Sequence, residues 1–184
     1  MADLDPFASV EELSAHTLGA ISADDPRAAD ALARGSAIIR NFCGWHVAPS
    51  VEETLTLDGP GGRLLTLPSM FVTDISSITQ CDDLVDPASY TWSALGLVTR
   101  MARWTTEDRG ITVTLTHGHA TSAAAKSILL SMVARDLMSP LGVVREQAGA
   151  LSVTWSQTAP GVAGGITLLE FEKELLAGDQ VVTV

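Results

Sequence analysis

The sequence is short of cysteine, of positive charge and of long apolar runs, and each shortage removes a class of protein. Its two cysteines, Cys43 and Cys81, have no CxxC spacing and are too few for a disulfide framework, so both are expected to be reduced. No stretch of about 18 apolar residues occurs, the length that a membrane-spanning helix needs. The N-terminal segment carries acidic residues before any basic one and no apolar core of the signal-peptide kind, so cytosolic synthesis is the expectation. Lys and Arg number 11 against 22 Asp and Glu, for a formal charge of −11, and the basic residues are scattered. Tight nucleic-acid binding needs clustered cations to displace counterions, so it is disfavoured. The same acidity suits a surface that DNA passes without adhering, because like charges repel; it also serves plain solubility.

What is present points to a folded α+β chain. Of the 184 residues, 46% are apolar and 18% charged, which is not the composition of a disordered chain. A chain of this length buries about two-thirds of its surface and needs neither disulfide nor metal to do so. The patterning predicts a single domain with a helical core of about four helices. Residues 1–50 are helical, 51–118 form a β-rich insertion, 119–142 carry a long helix, 143–157 a strand or hairpin, and 166–184 a C-terminal helix and tail.

Ser9 and Glu12 form a capping box for a first helix over residues 10–19, which Gly19 can end. Asp24-Asp25-Pro26 announces a second, reaching about Phe42, with Ala28, Ala31, Leu32, Ile38, Ile39 and Phe42 on one stripe. The period then shortens to two. Strands are predicted over residues 51–57, 63–67, 72–79, 90–93, 96–100 and 111–116; in the last, Ile111, Val113 and Leu115 face one way and threonines the other. Gly59, Pro60, Gly61 and Gly62 read as the tip of a hairpin joining the first two strands, projecting from the subunit and available for partner binding. A phosphate-cradling loop does not fit there, because no Lys-Ser/Thr follows and no helix opens.

A long helix over about 122–138 carries Ile128, Leu129, Met132, Val133 and Leu137, and Leu151, Val153 and Trp155 alternate in a short strand with a partner near 144–147. After a glycine-rich break at 161–165, the last helix starts at Thr167, boxed by Glu170. Leu168, Phe171, Leu175 and Leu176 are expected on one side of it, with Glu172 among the polar residues opposite. The tail that follows ends on Val181, Val182, Thr183 and Val184 and is β-prone. Helix and tail together are expected to bind another chain.

Constellations for catalysis are thin. Cys43, His46 and Asp58 could act as nucleophile, base and orienter of a small cysteine hydrolase, but a cysteine at a helix end beside Trp45 reads better as a small hydrophobe. His117 and His119 alternate at a strand end and could share a metal, yet no third ligand of defined spacing accompanies them. The adjacent carboxylates Glu52-Glu53 and Asp82-Asp83 read as solvated pairs. No catalytic residue, metal or cofactor is expected.

The order of segments carries a resemblance. The run Ile39-Arg40-Asn41-Phe42-Cys43-Gly44-Trp45-His46-Val47-Ala48-Pro49-Ser50, then Leu57-Asp58-Gly59-Pro60-Gly61-Gly62, residues 64–68 and Val72-Thr73-Asp74-Ile75 resembles the N-terminal half of head-to-tail adaptor proteins (head-completion, connector) of actinobacteriophage type. Gly110-Ile111-Thr112-Val113-Thr114-Leu115-Thr116-His117-Gly118, the Ala-rich helix, residues 139–147 and Ser152-Val153-Thr154-Trp155-Ser156 extend the likeness over about residues 27–176.

The resemblance implies a structural virion protein and no enzyme. It further implies a ring of about twelve copies beneath the portal protein. Such a ring extends the DNA channel without binding DNA specifically and offers a docking site to the next neck or tail protein. The implied location is the virion neck after synthesis in the host bacterial cytoplasm, with no membrane partner. A stopper or tail-completion subunit is the rival within the same class. The minimal members of the connector family are nearly all helical, and the long β-rich segment here departs from them.

Overall fold

Ser9 caps the first helix of the computed structural model: its hydroxyl accepts from Glu12 N (3.3 Å), and the Glu12 carboxylate accepts from Ser9 N (3.0 Å). The structure describes residues 4–138, 145–148, 151–154 and 166–181. In chain order the helices are α1 (Val10–His16), α2 (Ala28–Cys43), α3 (Ala123–Met138) and α4 (Glu170–Leu176). The strands are β1 (Val51–Leu57), β2 (Leu64–Thr66), β3 (Val72–Gln80), β4 (Asp83–Leu84), β5 (Tyr90–Trp92), β6 (Leu97–Arg100), β7 (Ile111–His117), β8 (Arg145–Ala148) and β9 (Leu151–Thr154). The class is therefore α+β, a β-rich middle flanked by helices. No described helix is long and apolar enough to cross a membrane.

Two compact units divide the chain, one from residues 1–42 with 123–178, the other from 43–122 with 179–184. In the first, α2 buries Ala28, Ala31, Leu32 and Ile39 and leaves Arg27, Asp30 and Arg34 outside, as its period requires. Gly35 packs against α3: a Cβ there would lie 2.5 Å from Leu129 Cδ1 and 3.1 Å from Met132 Cε. The N-terminal segment is clamped by Arg40, which donates to Asp5 O (2.6 Å) and lies over the Phe7 ring. Strands β8 and β9 pair antiparallel with Gln147 opposite Ser152.

The second unit holds a four-stranded antiparallel sheet, order β1-β7-β3-β4, and a three-stranded one, order β2-β6-β5. Ile111, Val113 and Leu115 of β7 are fully buried, while its threonines are half-buried on the other face. Alternation of this kind is what a strand with one face on a core must show. Both sheets contribute to one cluster that includes Leu65, Leu67, Ile75, Ile78, Val98, Trp104 and Leu115.

The predicted hairpin is not there. β1 pairs with β7, Leu55 opposite Val113, and β2 pairs with β6, so the two strands flanking residues 59–62 belong to different sheets. The segment between them is fastened down instead of projecting. Gly59 N donates to Glu107 O (2.8 Å), Gly61 N to Thr105 O (2.8 Å), and Trp104 N to Gly62 O (2.8 Å). A Cβ on Gly59 would sit 2.2 Å from Thr105 O, so close backbone approach is the reason for glycine there. Deleting residues 60–62 removes two of these bonds, one of them made by the backbone of the buried Trp104. We expect a loss of about 2–3 kcal/mol, read from thermal unfolding; an unchanged melting temperature would restore the projecting-tip reading.

Candidate functional site

The C-terminal helix presents an apolar stripe to solvent, but with a different set of residues from the one its pattern suggested. Its inward row is Leu169, Glu172 and Leu176, at i, i+3 and i+7, with Leu176 and Glu172 almost fully buried. Phe171 and Leu175 point outward, 57% and 64% exposed, and Leu168 beside them is half-buried. The cause is a buried ion pair. Glu172 meets both terminal nitrogens of Arg135 on α3 at 3.2 and 3.3 Å, and Arg135 also donates to Thr167 O (2.9 Å). Holding Glu172 inside turns Phe171 and Leu175 out.

The helix begins at Glu170 and not at Thr167. Its N-terminus is closed from one side only, by the Glu172 carboxylate accepting from Leu169 N (2.8 Å). Beyond it the chain returns to residues 43–45 of the second unit: Trp45 Nε1 donates to Asp179 O (2.6 Å), and Val181 N to Cys43 O (2.8 Å). Val181 is half-buried there. Val182 and Val184, and the glycine-rich break at 161–165, lie outside the described residues.

The hydrolase constellation does not assemble. Cys43 is fully buried, and burial, with the nearby Asp179 charge, pushes its thiol up to about 11, far from the thiolate a nucleophile needs. Asp58 is taken by Arg109 N, which donates to it at 2.7 Å. His46 Nε2 faces Pro49 O (2.8 Å) and His117 O (3.2 Å).

Nor do His117 and His119 converge. The strand ends at His117, and Gly118 turns the chain with φ +99°; a Cβ at that position would stand 2.3 Å from His46 Nε2 and 2.5 Å from Pro49 O. His119 is thereby carried away to stack on Phe71, ring centroids 4.2 Å apart. His117 instead meets His46 (centroids 4.3 Å) and Glu53, whose carboxylate lies 3.3 Å from His117 Nε2. Burial holds both imidazoles below the usual histidine range. Glu53 lies on the row Val51, Glu53, Leu55, Leu57 that faces β7's inward side chains, while its neighbour Glu52 is on the outer face. An acidic residue on an otherwise apolar row was the sequence signal for this cluster, and the reading of Glu52-Glu53 as a solvated pair passed over it.

A chain with a helical unit, a two-sheet unit and an outward apolar stripe has the parts of an assembly subunit. The profile of the family described as "Head completion protein" matches residues 7–133, and the chain belongs to that family. Membership carries a structural, head-completion role. The fold is also that of chains in gene transfer agent (GTA) particles. In the neck of a native particle, computed with C12 symmetry, the similar chain is 13% identical (TM-score 0.60), with 95% of this chain and 89% of that one covered. In the virion of a native particle the values are 13% and 0.61, with 100% and 95% covered. In the neck of an empty particle computed with C6 symmetry they are 14% and 0.57, with 100% and 94% covered. No curated protein matches the sequence.

Proposed function

We propose that this chain is a head-to-tail adaptor of a phage-type virion neck. Copies of it form a ring beneath the portal, extend the DNA channel and give the next neck or tail protein a surface to bind. The observation that carries the reading is membership of the head completion family. The likeness to chains of particle necks computed with C12 and C6 symmetry agrees with a ring, and twelve copies is the number the proposal adopts. The residues assigned to partner contact are Phe171 and Leu175, with the half-buried Leu168 beside them, because solvent-exposed apolar side chains at helical spacing gain burial only against another chain. DNA passes such a ring without specific contact, in keeping with a formal charge of −11. The work is mechanical, and no side chain is assigned a catalytic role.

Self-repulsion between acidic copies opposes closure in free solution, so the portal is proposed to template the ring. Sedimentation of the purified chain in dilute physiological salt should give a monomer or weak associations, and the same chain mixed with portal-bearing heads should co-sediment with them as a ring visible by negative stain. A stable closed ring without portal would overturn the templating. Failure to associate with portal-bearing heads at all would overturn the adaptor assignment.

A further inference from the structure

The inward faces of β1 and β7 are apolar along most of their length and turn polar at one end. On β7 the row runs Ile111, Val113, Leu115, His117; on β1, paired with it in register, it runs Leu57, Leu55, Glu53, Val51. Across the end of these rows lies His46, from the turn that follows α2. The three side chains bring two imidazole nitrogens and one carboxylate oxygen within 4.8 Å of one another. Among the described residues no other set of three such groups does so.

We propose that His46, Glu53 and His117 form a binding site for a divalent cation of the zinc type. Two imidazoles and a carboxylate are a donor set that zinc accepts, with the fourth position left to water or another ligand. The spacing suits it, since two donors each about 2.0–2.1 Å from a tetrahedral zinc stand about 3.3 Å apart. His117 Nε2 and the Glu53 oxygen are separated by 3.3 Å.

The surroundings fit as well. An imidazole that binds a metal characteristically donates its other ring N–H to a backbone carbonyl, which fixes the tautomer. His46 Nε2 does so, toward Pro49 O and His117 O. His117 is 2% exposed. Glu53, whose side chain is 37% exposed, leaves a route by which an ion could enter. The ion's role would be structural. It would tie the turn carrying His46 and the adjoining β1 to β7, whose His117 lies 64 positions beyond Glu53.

The test uses the full-length, tag-free chain with zinc alone, and cobalt(II) as a spectroscopic stand-in. Isothermal titration with zinc should show one site per chain, and saturating zinc should raise the melting temperature. Glu53→Gln and His46→Asn should each weaken binding at least about tenfold, a loss that even supporting partners of metal ligands produce. His119→Asn, outside the cluster, should leave it unchanged. To keep the test independent of a ligand variant's folding, the parent chain is also loaded with cobalt(II), where strong visible absorption marks four-coordination and the weak band of the six-coordinate ion does not. No saturable zinc binding by the parent chain, six-coordinate cobalt only, or binding undiminished in folded Glu53→Gln would each overturn the site.

Discussion

Under the proposed adaptor role, changing Phe171 and Leu175 together to aspartate is expected to abolish attachment of the chain to portal-bearing heads and to leave its melting temperature within a few degrees of the parent. The fold should not notice, because both side chains are more than half exposed and surface substitutions of that kind fall within about 0.5 kcal/mol each. Attachment should notice a great deal. An aromatic or aliphatic anchor at the centre of an interface contributes about 2 kcal/mol or more, and replacing it with a charge adds a desolvation penalty. Two such losses weaken binding by about a thousandfold or more, measurable by co-sedimentation. Normal attachment of a folded double variant would remove α4 from the interface. This is a cleaner experiment than cutting the chain before the helix, because Leu169, Glu172 and Leu176 are buried and their removal would strip cover from α3.

Changing Arg135 to methionine destabilises the protein by about 3–5 kcal/mol, through a group that is left behind. Glu172 is 1% exposed and would stay in place with its charge uncompensated. Urea unfolding would read the loss as a lower midpoint at unchanged slope. Adding Glu172→Leu should recover most of it, since an apolar pair of similar volume replaces a buried ion pair at little cost. A loss under about 1 kcal/mol in the single variant would mean that the pair does not set the rotation of α4.

How far the sequence could be read depended on whether the decisive partner was near in the chain. The Ser9–Glu12 capping box and the alternation of Ile111, Val113 and Leu115 are local, and both are found where they were expected. Strand positions near residues 72, 90, 97 and 111 follow from period and agree within a residue or so. Pairing does not follow from period. Residues 59–62 have real turn chemistry, yet β1 joins a strand whose Thr114 lies 60 positions beyond Thr54, and nothing local to Gly59 encodes that. The rotation of α4 likewise hangs on Arg135, 37 positions from Glu172, which an amphipathic pattern within the helix cannot reveal. The cluster of His46, Glu53 and His117 draws one residue from a turn and two from neighbouring strands, so it has no spacing to recognise.

The sheet order β1-β7-β3-β4 also dictates a sequence of events as the chain emerges from the ribosome. β1 and β3 both take β7 as their neighbour and do not bond to each other, and β7 is the last of the four to be made. Until Ile111 to His117 have emerged, two finished strands stay with open edges and only the short β3–β4 turn can close. Long-range closures of this kind are slow, and their cost in chain entropy must be met before any ladder bond forms. The arrival of β7 is therefore the step that completes the four-stranded sheet.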